Sequence, residues 1–180
     1  MKKFGFLLQT VILITFITSA CYSQEVKEKK YQKIPSVEIK NVDGKTINTS
    51  DLNNNGKPII ISFWASWCKP CINELTTIAD VYDDWQKETG VLLIAVSVDD
   101  SRSTLNVKPL TDGKGWTYMI LLDANNDFKR AMNVNLIPHT FVVNGKGEIV
   151  WQHTSFSQGS EFGLLEVVKK VAAGETIPNE

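Results

Sequence analysis

The chain has few residues of the kinds that staple or ligate, with three cysteines and two histidines in 180 residues. Three cysteines cannot form the framework of a disulfide-stapled scaffold, and a chain of this length can bury a full core without one. Excess charge is also lacking: a net charge of −1 excludes a sequence-blind nucleic-acid binder, which needs a basic surface. Long apolar runs are missing as well. The longest, Phe4 to Thr18, is shorter than the roughly 20 residues of a membrane span. No internal repeat or low-complexity tract breaks the chain, so a single domain is expected.

What is present begins with Met1-Lys2-Lys3, the apolar run and Ser19-Ala20, the three-part layout of an export signal over residues 1–20. Cleavage before Cys21 would leave a cysteine able to carry lipid, although Thr18 stands where such signals usually have leucine. Cleavage after Ser23 would remove Cys21, and an uncleaved anchor is a third outcome. Either cleavage leaves Cys68 and Cys71 as the mature domain's only paired thiols. Residues 21–33, rich in Lys and Glu from Gln24 onward, read as a solvated spacer, and the folded domain is expected over 34–180.

Within that domain, Ser36–Lys40 and Lys45–Thr49 flank the turn signal Asn41-Val42-Asp43-Gly44 and predict a hairpin. Ile59–Trp64 is a short, apolar, β-branched run suited to a buried strand. Beyond it, Ile72, Leu75, Ile78, Ala79 and Tyr82 recur at helical spacing up to Gly90, a suitable left-handed cap. Val91–Val98 reads as a strand covered on both faces. Thr104–Leu110 is expected to be helical and Asp112–Gly115 a loop. Tyr118–Leu122 predicts a strand, Phe128–Met132 a short helix, and His139–Asn144 with Glu148–His153 a second hairpin. A last helix carries Leu164, Leu165, Val167, Val168, Val171 and Ala172, closed by Gly174. This order describes an α/β sandwich with a mixed sheet.

The stretch Phe63-Trp64-Ala65-Ser66-Trp67-Cys68-Lys69-Pro70-Cys71 places two thiols where a strand runs into a helix. Unpaired N–H groups and the positive end of the helix dipole favour a thiolate there, and the thiolate is the reactive form. Cys68, nearer the helix end, is the candidate nucleophile toward a disulfide in another protein. Cys71 then attacks the mixed disulfide, releases the reduced substrate and leaves a Cys68–Cys71 bridge that a further donor must reduce. Trp67 is expected to be a partly exposed platform beside Cys68, and Trp64 to lie in the core. Trp85, Trp116 and Trp151 are assigned to packing. Lys69 stabilises the thiolate while a nearby Glu74 opposes it, so the direction of reaction stays open at this level.

Over roughly Ile34 to Ala173 the chain resembles the thioredoxin superfamily, in particular its exported TlpA/ResA-type thiol-disulfide oxidoreductases. The resemblance rests on the Phe63–Cys71 stretch, on Ile137-Pro138-His139-Thr140-Phe141, on the leading hairpin and on the export signal. It implies a thioredoxin-like three-layer sandwich with a central mixed sheet and an added N-terminal hairpin. It further implies that Pro138 is cis and packs against the dithiol, leaving the Ile137 backbone free to pair with an extended substrate. Glu74 stands where ResA-like members carry a glutamate, which suggests proton exchange with Cys71; the alternative is a carboxylate merely favoured in a first helical turn. Ser62 stands where cytoplasmic thioredoxins keep a buried aspartate, so that relay is missing. By resemblance the activity is reduction of envelope proteins such as cytochrome c precursors, with a membrane thiol donor as partner and no cofactor beyond the dithiol.

Three other functions compete. A disulfide oxidant or isomerase would use the same residues. A copper-handling protein would recruit His139 to Cys68 and Cys71, three ligands being too few for an ordinary zinc site but enough for copper(I). A peroxiredoxin-like peroxidase would need a threonine three residues before its cysteine, and Ala65 stands there.

Overall fold

The computed structural model describes residues 31–177; the export signal, the anchor at Cys21 and most of the charged spacer lie outside the described residues. Gln32 and Lys33 already join the sheet: the Gln32 carbonyl accepts from the Ile149 N–H, and Lys33 bridges to Glu148.

The strands are β1 (Glu38–Asn41), β2 (Thr46–Asn48), β3 (Ile59–Trp64), β4 (Leu92–Ser97), β5 (Met119–Leu122), β6 (His139–Val143) and β7 (Ile149–Thr154). The helices are α1 (Lys69–Thr89), α2 (Val107–Lys114), α3 (Asp127–Ala131) and α4 (Ser160–Ala172). Among the described residues the strands form one sheet in the order β2-β1-β5-β4-β3-β6-β7. β3, β4 and β5 run parallel, whereas β6 lies antiparallel to β3 and β1 antiparallel to β5, so the sheet is mixed.

β3 lies inside the sheet between β4 and β6, and every one of its side chains is buried, as suits an apolar run with Ser62 its single polar residue. Its alternation sends Ser62 and Trp64 to the face covered by α1, where Ser62 meets Glu74, and Phe63 to the other, where it packs on Phe128 of α3 and on Phe141. On the α1 face, Trp116 meets Trp64 edge to face and Tyr82 meets Tyr118 in the same way, while the Tyr118 hydroxyl donates to the Leu75 carbonyl at 3.1 Å. α1 and α4 lie against each other, and Lys169 of α4 reaches Glu88 of α1 at 2.9 Å.

The hairpin β1–β2 docks on β5 as an edge addition. Gly90 ends α1 with φ of 69° and donates to the Gln86 carbonyl, a left-handed cap as the sequence suggests. The region before β5 differs from expectation. Thr104–Asn106 is a short 3-10 turn, the α-helix starts only at Val107, and Asp112, Gly113 and Lys114 belong to it rather than to a loop. Val107 and Thr111, one turn apart and buried, hold that helix to the body, and this packing outweighs the weak helix propensity of Gly113. The helix ends at Gly115, in the left-handed conformation.

Candidate active site

Cys68 and Cys71 are joined as a disulfide with Cα atoms 5.3 Å apart, at the point where β3 has ended and α1 begins. Cys68 caps α1: its backbone is extended, and its sulfur accepts the Cys71 N–H at 3.4 Å. Pro70 sits in the first turn, where its missing N–H leaves no helical bond unmade. Cys68 is 7% exposed and Cys71 0%, so Cys68 is the one of the pair that reaches the surface.

Beside them the Ile137–Pro138 peptide bond is cis, and Pro138 is buried. Among the described residues neither the N–H nor the carbonyl of Ile137 has a hydrogen-bond partner, whereas the Pro138 carbonyl accepts from Ser155. Trp67, expected to be partly exposed, is 67% exposed. Leu136, next to Ile137, is exposed as well. Trp64 is fully buried, Trp85 and Trp116 pack in the core, and Trp151 is half-buried on β7.

Glu74 lies one helical turn beyond Cys71 and is 5% exposed. The Ser62 hydroxyl lies 3.2 Å from its Oε2, Thr140 Oγ1 lies 3.0 Å from its Oε1, and the two hydroxyls are 3.1 Å apart. Burial pushes the Glu74 carboxyl up from 4.5 to about 7, against the smaller downward pull of Thr140 and Ser62. Three contacts need three protons and the hydroxyls supply two. Protonated Glu74 supplies the third and closes the ring. A carboxyl poised near neutrality on the buried side of a dithiol can take up or give a proton at working pH. Ser62, which in sequence marks the loss of the thioredoxin-type aspartate relay, here serves a carboxyl carried by the helix.

A second carboxyl group escaped the sequence reading. Asp99, fully buried just after β4, accepts from the Ser66 N–H at 2.8 Å and from the Ser97 hydroxyl at 2.8 Å through Oδ2. Its Oδ1 accepts from the Ser66 hydroxyl at 2.6 Å. These bonds fix the turn that carries Trp67 and Cys68. The signal was the first Asp of the Asp99-Asp100 pair that closes the largely apolar Val91–Val98 run.

His139 stacks on Phe141 at 4.4 Å and lies 3.2 Å from Gln152 through Nε2; burial holds its pKa below the ordinary histidine value. Among the described residues no three His, Cys, Asp or Glu side chains gather as a metal site. Lys69 is exposed at the start of α1.

The chain that carries this site is similar, in sequence and in fold, to known proteins. The AhpC/TSA family model matches residues 31–152. The chain belongs to that family. Among curated relatives, "Thiol-disulfide oxidoreductase ResA" of Bacillus subtilis (strain 168) is 28% identical over 156 residues, covering 83% of this chain and 84% of its own. The protein of the same name from Oceanobacillus iheyensis is 30% identical, covering 82% of this chain and 80% of its own. Among solved structures, an uncharacterized thioredoxin-like protein from Porphyromonas gingivalis is 53% identical with a TM-score of 0.71, over 81% of this chain and 95% of that one. A "putative Thiol:disulfide interchange protein DsbE" from Chlorobium tepidum shares the fold, with a TM-score of 0.69 at 20% identity over 80% of this chain and 98% of that one. The fold is thioredoxin-like and the chain is a thiol-disulfide oxidoreductase of the ResA type.

Proposed function

We propose that this oxidoreductase reduces disulfides of other proteins in the cell envelope, cytochrome c precursors among them, with electrons from a membrane thiol donor. In this reading the protein is exported by the signal over residues 1–20 and is either anchored through lipid on Cys21 or released. No helix among the described residues is long and apolar enough to cross a membrane.

The observation that carries the reading is a Cys68–Cys71 pair whose first cysteine reaches the surface, together with an Ile137 backbone that has no hydrogen-bond partner among the described residues. An extended substrate segment adds to Ile137 as a strand and brings its disulfide to Cys68. The Cys68 thiolate attacks one substrate sulfur and the other leaves as a thiolate that takes a proton. Cys71 then loses its proton to Glu74, attacks the Cys68 sulfur and expels the second substrate sulfur. The substrate gains two electrons and two protons, and the protein is left with its disulfide.

Peroxide reduction is less favoured, because the apolar Ala65 precedes Cys68 by three residues and Cys71 is within bonding distance of Cys68. Copper handling would need His139, which instead stacks on Phe141. The deciding measurement is the reduction potential of the pair against glutathione. A value at or below about −250 mV marks a dedicated reductant; one near −120 to −180 mV marks an oxidant or isomerase and overturns the proposed direction. The Cys71→Ser variant should trap envelope substrates as mixed disulfides on Cys68.

A further inference from the structure

A groove of about 750 Å³ runs away from the disulfide, starting at Trp67 and Ile137 and passing between the Val98–Asn106 segment and α3. Two parts of its lining bear on what it holds. At the end near the disulfide stand Trp67 and Leu136, 67% and 69% exposed, large apolar side chains that water alone covers. Further along stand Asp100, Arg102 and Lys129.

The charges there are unevenly matched. Arg102 is held by Asp100 at 2.8 Å through Nη2 and at 3.1 Å through Nε, so this pair neutralises itself. Lys129 is different. Its backbone N–H donates to Asp123, but among the described residues its ammonium has no ion-pair partner. It is half-buried beside the groove, which limits how far it can swing toward bulk water. The groove therefore carries an unmatched positive charge in a chain whose net charge is −1. Lys69, next to Cys68, is exposed but does not line the groove, which leaves Lys129 as the charge to test.

From this we infer that the groove is a selectivity surface for the protein substrate: it takes the extended segment flanking the reacting cysteine, packs its apolar residues on Trp67 and Leu136, and prefers an acidic side chain opposite Lys129. This rests on the disulfide-exchange reading above and adds to it a charge rule. The groove is continuous with the strand-addition position at Ile137, so a segment bound there has to run along it or turn away. Charge complementarity of this kind sets partner choice and encounter rate more than affinity.

The test uses two looped peptides with one internal disulfide each, identical except that both cysteines are flanked by glutamates in one and by lysines in the other. Reduced protein is mixed with each, and the second-order rate is followed by tryptophan fluorescence. Each turnover converts one peptide disulfide to two thiols and the Cys68–Cys71 dithiol to its disulfide. The expected result is a rate about three- to tenfold higher for the glutamate peptide, lost near 1 M salt. In Lys129→Gln the ratio of the two rates should fall toward one, and in Lys129→Glu it should invert. Taking the ratio within each variant cancels any change in stability or in thiol reactivity. Equal rates in the unmodified protein, or a ratio that Lys129→Glu leaves unchanged, would overturn the inference. An uncharged disulfide, bis(2-hydroxyethyl) disulfide, separates this from the parent reading: if the reduced protein leaves it intact too, disulfide exchange itself fails and the groove proposal falls with it.

Discussion

Thr140 Oγ1 lies 3.0 Å from Glu74 Oε1, joining residues 66 apart in sequence across the boundary between sheet and helix. Ser62 completes the triangle from the neighbouring strand, because the β3–β6 register sets Ser62 opposite Thr140. One helical carboxyl is thereby held over two strand hydroxyls.

The first consequence concerns pH and stability. Glu74 has its carboxyl raised from 4.5 to about 7 by burial. As pH rises, the unfolded chain loses this proton near 4.5 while the folded one keeps it to about 7. Folding is thus favoured most below 4.5, and the advantage is lost across that window by about 3 kcal/mol. Denaturation of the oxidised protein should show this fall, and Glu74→Gln, which does not titrate, should lack it. Parallel stability curves for the two proteins would show that Glu74 ionises normally.

Thr140→Val keeps the shape of the side chain and removes its hydroxyl. The cost should be about 1–3 kcal/mol and larger at pH 8.5 than at pH 5, since a donor to an ionised carboxylate is worth more than one to a neutral acid. A cost independent of pH would mean that the hydroxyl serves the fold and not the charge on Glu74.

Much of this arrangement was legible beforehand. β3 spans the apolar run Ile59–Trp64, α1 stops at Gly90, and the thiols meet because two intervening residues place them on one turn. Glu74 stood out by resemblance, at the position where ResA-like members carry a glutamate. Its partners did not, because Ser62 and Thr140 are brought together by strand register, which no single segment encodes. Asp99 was missed for the same reason: its role exists only once β4 lies beside β3 and Ser66 swings over its end. The Thr104–Lys114 region misled because Gly113 weakens the local helix signal that buried Val107 and Thr111 restore in the folded chain.

Asp99 should prove a positioning residue for Cys68. Asp99→Ala removes three acceptor contacts and leaves the Ser66 N–H without its partner, at a cost of about 2–4 kcal/mol. Asp99→Asn keeps an oxygen for one donor and should cost less. Beyond stability, the freed turn should lower the fluorescence anisotropy of Trp67 and slow reduction of a protein disulfide. If Asp99→Ala destabilises the fold yet leaves both readouts unchanged, the bonds to Ser66 support only the sheet.

The opposite end of β3 provides the contrast. Gly145, in the turn between β6 and β7, faces the backbone of Gly56, and a Cβ added there would run into that peptide unit. Backbone cannot move aside as a flexible side chain does, so Gly145→Ala should cost about 1–3 kcal/mol. The register pairs Ile59 with Val143, which places this contact at the start of β3, while the disulfide follows its end. Six residues of strand, roughly 20 Å, separate the two. Gly145→Ala should therefore lower the denaturation midpoint while leaving the reduction potential and the thiol pH profile where they were. A shift in potential would mean that strain at the start of β3 is transmitted along the strand to Cys68, and that the rigid central strand couples the two ends of the sheet.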